Sequence, residues 1–207
     1  MISLDQAVDA TRTGDLWLFR GDTLADKAIR TATNAPVNHV GMALVLDDLP
    51  PMMWHAELGK SLLDLWTGDH HRGVQLHDLR GAVEKWTREL GQQAWVRQLA
   101  PEAGRAQEDG ALRAIARWDG TSFPRTSALA WRWLRGRSVI EDDPRSRQER
   151  LESAYCAEVV GVTYEEMGLL ARGRKSNWYD PGVFYSGDRL PLTQGWSLGD
   201  EIEVVLD

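Results

Sequence analysis

Asn38-His39-Val40-Gly41-Met42-Ala43-Leu44-Val45-Leu46 is an almost unbroken apolar run entered through a histidine. Such a run, bounded by turn signals, reads as a buried central strand. Pro36 breaks the chain before it, and Asp47 to Pro51 makes a turn after it. Met53-Trp54-His55-Ala56-Glu57-Leu58 then reads as the next strand of an antiparallel pair. His39 stands at a strand edge beside the loop Ala35-Pro36-Val37-Asn38, well placed to face a cleft. His55 and Glu57 are two apart on one strand, so their side chains share a face.

Upstream, Ser3 and Gln6 have the spacing of a capping box for a short helix to about Thr11. Gly14-Asp15 turns into a buried strand, Leu16 to Arg20, and a helix is expected over Leu24 to Thr31. Downstream, Ser61 to Trp66 reads as a third strand. Val74 to Leu79 alternates like a half-exposed strand, with Gln75 and His77 on the solvated side. His70-His71 looks like part of a polar turn. Ala82 to Leu90 reads as a short helix and Ala94 to Leu99 as a strand. Pro101 opens a helix through Trp118 in which Gly110 is a weak point. An aromatic helix is expected over Ser127 to Leu134. The mixed charges of Glu141 to Arg150 suggest a solvated loop. A helix begins at Cys156 and runs to Leu170, and Glu201 to Leu206 is a final strand. Strands early and helices in the middle argue for α+β, an antiparallel β-sheet or barrel packed against helices. The whole chain, 1–207, fits one domain.

A net charge of −7 and scattered basic residues exclude a nucleic-acid footprint. One cysteine excludes an internal disulfide. No apolar run approaches the roughly 18 residues of a membrane span. The N-terminus lacks the basic and apolar regions of a signal peptide. The expectation is a cytoplasmic protein without an integral membrane segment; export by a specialised machine would leave the same signature.

The single cysteine lies in Ala154-Tyr155-Cys156-Ala157-Glu158-Val159-Val160. A lone cysteine is commonly a small buried apolar residue. A thiol at a helix N-terminus differs, because the free N–H groups and the helix dipole favour the thiolate nucleophile. Cys, His and Glu together suit nucleophilic acyl transfer. The thiolate attacks a carbonyl carbon, the imidazolium protonates the leaving group, and a Cys156 N–H at the helix start serves the oxyanion.

Four blocks carry a resemblance: Gly14-Asp15-Leu16-Trp17-Leu18-Phe19-Arg20-Gly21, Asn38-His39-Val40-Gly41-Met42-Ala43, His55-Ala56-Glu57, and Tyr155-Cys156-Ala157-Glu158-Val159-Val160. Together they resemble the circularly permuted papain-like amidases and cysteine peptidases of the YaeF/YiiX type, in the NlpC-like superfamily. Histidine before cysteine is the mark of permutation there. The resemblance implies a permuted papain-like fold with the catalytic cysteine at a helix N-terminus. It assigns Cys156 as nucleophile, His39 as base and Glu57 as orienting residue, with His55 a second candidate for the last role. Tyr155, His55, Trp17 and Asn38 are candidates for substrate or oxyanion binding. Ala157 departs from the family, where serine is usual, and residues 82–137 match least well.

The implied enzyme is a hydrolase of amide, ester or thioester bonds acting on a peptide, cell-wall-derived or acyl-lipid substrate, without a cofactor or metal. An acyltransferase or thioesterase on lipid acyl groups would use the same residues with another acceptor. A different class remains: an inactive binding module, or a mixed-ligand zinc site made by His39, His55, Glu57 and Cys156.

Overall fold

The computed structural model describes residues 1–21, 36–57, 59–120, 144–173, 179–186 and 190–206; for 144–154 it describes the backbone alone. The expected helices over Leu24 to Thr31 and Ser127 to Leu134 lie outside the described residues, as do Glu141 to Asp143 of the charged run.

The chain is α+β. Among the described residues, one mostly antiparallel sheet takes β1 (Ile2–Ser3), β2 (Leu16–Arg20), β3 (His39–Leu44), β4 (Met52–Glu57), β5 (Gly73–Asp78), β6 (Gln93–Arg97) and β9 (Ile202–Val205). Their order is β1-β9-β6-β2-β3-β4-β5. Only the short β1 runs parallel to its neighbour, β9. A separate ribbon pairs β7 (Leu99–Ala100) with β8 (Ser197–Leu198). Among the described residues four α-helices accompany them: α1 (Leu4–Ala10), α2 (Leu79–Glu84), α3 (Arg105–Trp118) and α4 (Pro144–Glu166). The capping box forms as the spacing predicts: Gln6 N–H donates to Ser3 Oγ, and the Gln6 side chain accepts from Ser3 N–H.

Both faces of the sheet are covered. Leu16, Leu18, Val40, Met42, Trp54 and Ala56 form one core layer with Cys156, Val160 and Tyr164 of α4. Trp17, Phe19, Ala43 and Met53 point the other way, into a layer with Leu4 and Val8 of α1, Val83 of α2 and Trp86. Strand alternation thus divides β2, β3 and β4 between two buried interiors. α4 is fixed to the sheet by polar bonds as well. Trp54 Nε1–H donates to Thr163 Oγ1 (2.9 Å), and Tyr164 O–H donates to the Gly14 carbonyl (2.5 Å). Gly110 is a point of close approach rather than of weakness: a Cβ there would lie 2.6 Å from the Glu166 carbonyl oxygen.

Four expectations about the elements need correcting. The helix expected to open at Pro101 begins at Arg105. Ser61 to Trp66 is not a strand; the buried Asp64 carboxylate takes up the N–H groups of Trp66, Thr67 and Leu76, and so holds a loop. Residues 144–150 of the charged run are helical. Cys156 consequently does not begin a helix; it is the thirteenth of the 23 residues of α4.

Candidate functional site

β3, β4 and β5 lie side by side, and each sends histidines to the face covered by α2. His39 opens β3, His55 sits on β4 opposite Gln75, and His77 sits on β5 opposite Met53. All three are buried, as are Glu57 and Gln75. α2 continues as a π-helical turn, Lys85–Glu89, that lays Trp86 over them. The Trp86 ring meets His39 at 4.2 Å, His55 at 4.8 Å and Phe19 at 4.4 Å, each edge to face. Gly41 leaves room for this file: a Cβ there would lie 2.9 Å from Met53 and 3.4 Å from His55 Cβ.

The imidazoles form a continuous hydrogen-bonded relay. His39 Nε2 meets His55 Nδ1 at 3.2 Å, His55 Nε2 meets His77 Nδ1 at 2.9 Å, and His77 Nε2 meets Gln75 Oε1 at 3.0 Å. Gln75 fixes its direction. The Gln75 amide nitrogen faces the carbonyls of Glu57, Gly73 and Gly59 at 3.3 to 3.5 Å, so its oxygen must face His77. His77 then donates from Nε2 and accepts at Nδ1. His55 does the same, and so does His39 through Nε2. The lone pair left over is on His39 Nδ1.

The charge state agrees with a neutral relay. Burial lowers His39 to about 3 and His77 to about 4, and pushes His55 well below its ordinary value, with its two neighbours adding to the effect. Glu57 lies at the far end. Its Oε1 accepts from Lys85 Nζ at 2.7 Å, and its Oε2 lies 3.8 Å from His77 Nδ1. His77, expected on a solvated side, is buried, because α2 covers that face.

The remaining expected residues fall elsewhere. Cys156 is buried in the core layer under α4, on the face of the sheet opposite the Trp86 layer that holds the His39 ring. Twelve residues into a helix, its N–H lies beyond the four free donors of the N-terminus, and the dipole's effect is confined to the first turn. It therefore supplies no oxyanion N–H, and a helix terminus does not activate its thiol. Tyr155 lines the same layer, and burial raises its hydroxyl to about 12. Trp17 is enclosed in the second layer. Asn38 uses its Oδ1 to accept the Gly21 N–H at 2.8 Å. Asp15, in the Gly14-Asp15 turn, accepts the N–H groups of Leu99 and Arg12, and burial raises it to about 6.

A second group sits at another place in the fold. The ligand atoms of Asp64, His71 and Asp119 lie within 4.8 Å of one another. Burial, with the nearby Asp64 charge, raises Asp119 to about 7. Nothing in the sequence joins these residues, since 55 positions separate the two aspartates.

No family model matches the chain, and no curated protein sequence matches it. Among solved structures, the crystal structure of metalloprotein yiiX from Escherichia coli O157:H7 is similar, with a TM-score of 0.50 at 19% identity. The match covers 79% of this chain and 69% of that one. The chain thus has a YiiX-like fold. No helix among the described residues is long and apolar enough to cross a membrane.

Proposed function

We propose that the chain is a cysteine hydrolase of amide, ester or thioester bonds on a permuted papain-like version of this fold. Cys156 is the nucleophile, His39 the base and His55 the residue that orients it. Glu57, the third member implied by the resemblance, is engaged by Lys85, and its carboxylate makes no hydrogen bond to the relay. The observation that carries the reading is the His39–His55 contact of 3.2 Å. Directed by Gln75, it leaves a bare lone pair on His39 Nδ1. With thiol and ring brought to the same side of the sheet, the thiol proton passes to that nitrogen and the thiolate attacks the carbonyl carbon. The imidazolium then protonates the leaving group, and the neutral ring activates water against the thioester. The substrate class is a peptide, a cell-wall fragment or an acyl lipid.

The sheet separates thiol and ring in the observed arrangement, so the dyad forms only if both come to the same side of the His39 strand end. Labelling tests this. Iodoacetamide alkylates Cys156 rapidly in the native protein at neutral pH, and slowly in His39→Ala, as read by intact mass. Labelling that appears only on denaturation rules the mechanism out.

A metal-centred reading has support in the description of the yiiX protein as a metalloprotein and in the closeness of His55, Glu57 and His77, whose ligand atoms lie within 4.8 Å. The donor set does not fit a cation. The facing nitrogens of His55 and His77 bond each other, and the Lys85 ammonium on Glu57 Oε1 sets a positive charge beside the one open oxygen, Oε2. The mixed set of His39, His55, Glu57 and Cys156 fits no better, since the thiol belongs to the other layer.

A further inference from the structure

The geometry points to a divalent-cation site formed by Asp64, His71 and Asp119, for a first-row metal of the zinc or manganese kind. The site lies where the 64–72 loop meets the end of α3. The loop is held against β5 by Leu65 N–H on the Leu76 carbonyl (2.7 Å) and Leu76 N–H on Asp64 Oδ1 (2.8 Å). Asp119 follows directly on α3, and the next residue, Gly120, donates its N–H to the Val74 carbonyl (3.1 Å). Two distant segments thus deliver their side chains to one point on β5.

The unusual member is Asp119. Both of its carboxylate oxygens are sealed from solvent without a hydrogen-bond partner. Its polar neighbours across the gap are Asp64, which is itself fully buried, and His71, whose Nε2 lies 3.0 Å from Asp64 Oδ2. A carboxylate facing a carboxylate is repelled unless a cation or a shared proton lies between them. Two carboxylates with one imidazole suit zinc or manganese, whereas calcium and magnesium prefer all-oxygen shells. Donors about 2.1 Å from zinc lie roughly 3 to 3.5 Å apart. The ligand atoms already lie within 4.8 Å of one another, and side-chain rotation closes the remainder. His71 Nε2–H, which donates to Asp64 Oδ2 in the observed arrangement, would release its proton to solvent and turn the freed lone pair to the metal while Nδ1–H stays on the Arg72 carbonyl, and the Asp64 carboxylate would keep its backbone donors. In the histidine file, by contrast, each imidazole N–H already meets an acceptor.

The full-length chain, stripped with chelator, is titrated calorimetrically with zinc and with manganese, and its melting temperature is followed. One equivalent binds and raises the melting temperature, while magnesium and calcium do so at least tenfold more weakly. Asp119→Asn and His71→Ala each weaken binding at least tenfold and remove the melting shift; urea unfolding of both confirms that they are folded. Cys156→Ser and Glu57→Gln bind as the parent does. The proposal is overturned by the absence of binding, which would leave a proton shared by Asp119 and Asp64. It is equally overturned by binding that survives both site variants, or that is lost with Cys156→Ser or Glu57→Gln.

Discussion

The two clusters of titratable side chains beside β5 use similar residue types and reach opposite states. In the histidine file each ring donates to the next, Gln75 terminates the series, and Lys85 neutralises Glu57. At the loop junction Asp64 is saturated with donors, while Asp119 has none. Burial alone therefore does not say what a polar cluster does. What matters is whether its donors and acceptors close on themselves. The nearly closed network presents only what its two ends leave over, the His39 Nδ1 lone pair and Glu57 Oε2, which is buried without a hydrogen-bond partner. An open one has capacity for a ligand.

The comparison is open to attack through mutation. Lys85→Met leaves Glu57 buried without its cation and destabilises the protein by about 3–5 kcal/mol, read from urea unfolding. Loss of less than about 1 kcal/mol would mean that the Glu57 end of the file is not closed. Gln75→Leu comes next. It strands the His77 Nε2–H and three carbonyls, at a cost of about 2–3 kcal/mol. Gln75→Glu keeps an acceptor for His77 and recovers part of that loss.

Acid should open the file as well. The folded-state values of the three histidines lie below the ordinary 6.5, so the unfolded chain binds protons first as pH falls. Their contribution is complete above pH 6.5 and is lost progressively toward pH 3 to 4. Asp15 and Asp119, raised to about 6 and about 7, act in the opposite sense, and the three imidazoles outweigh them. The melting temperature accordingly drops between pH 6.5 and 4; a flat or rising profile contradicts a neutral relay. The smallest effect has the reverse sign. Without metal, Asp119→Asn relieves repulsion with Asp64 and stabilises by up to about 1 kcal/mol. If it destabilises instead, the loop cluster is as closed as the file.

Much of the sheet can be read from sequence, because the runs from Leu16, His39, Met53 and Val74 carry strand periodicity and turn residues separate them. The shared face of His55 and Glu57 follows from a spacing of two. His77 departs from the pattern of its strand for a physical reason. Alternating polar residues look solvated, yet they are buried wherever a second layer covers that face and the polar groups satisfy one another. The start of α4 is hidden in the sequence because a charged run looks like a loop. Glu, Arg, Gln and Leu are nonetheless good helix formers, and Pro144 fits a first-turn position. Asp64 and Asp119 had no signal at all, since tertiary packing alone joins them.

The central claim is that a relay set by Gln75 keeps His39 neutral with its base at Nδ1. Long-range nitrogen–proton NMR of the imidazoles at pH 7 reads this directly. The account predicts that His39, His55 and His77 are all neutral and protonated at Nε2. A proton on Nδ1 of His39, or a charged His39 ring at that pH, would contradict it.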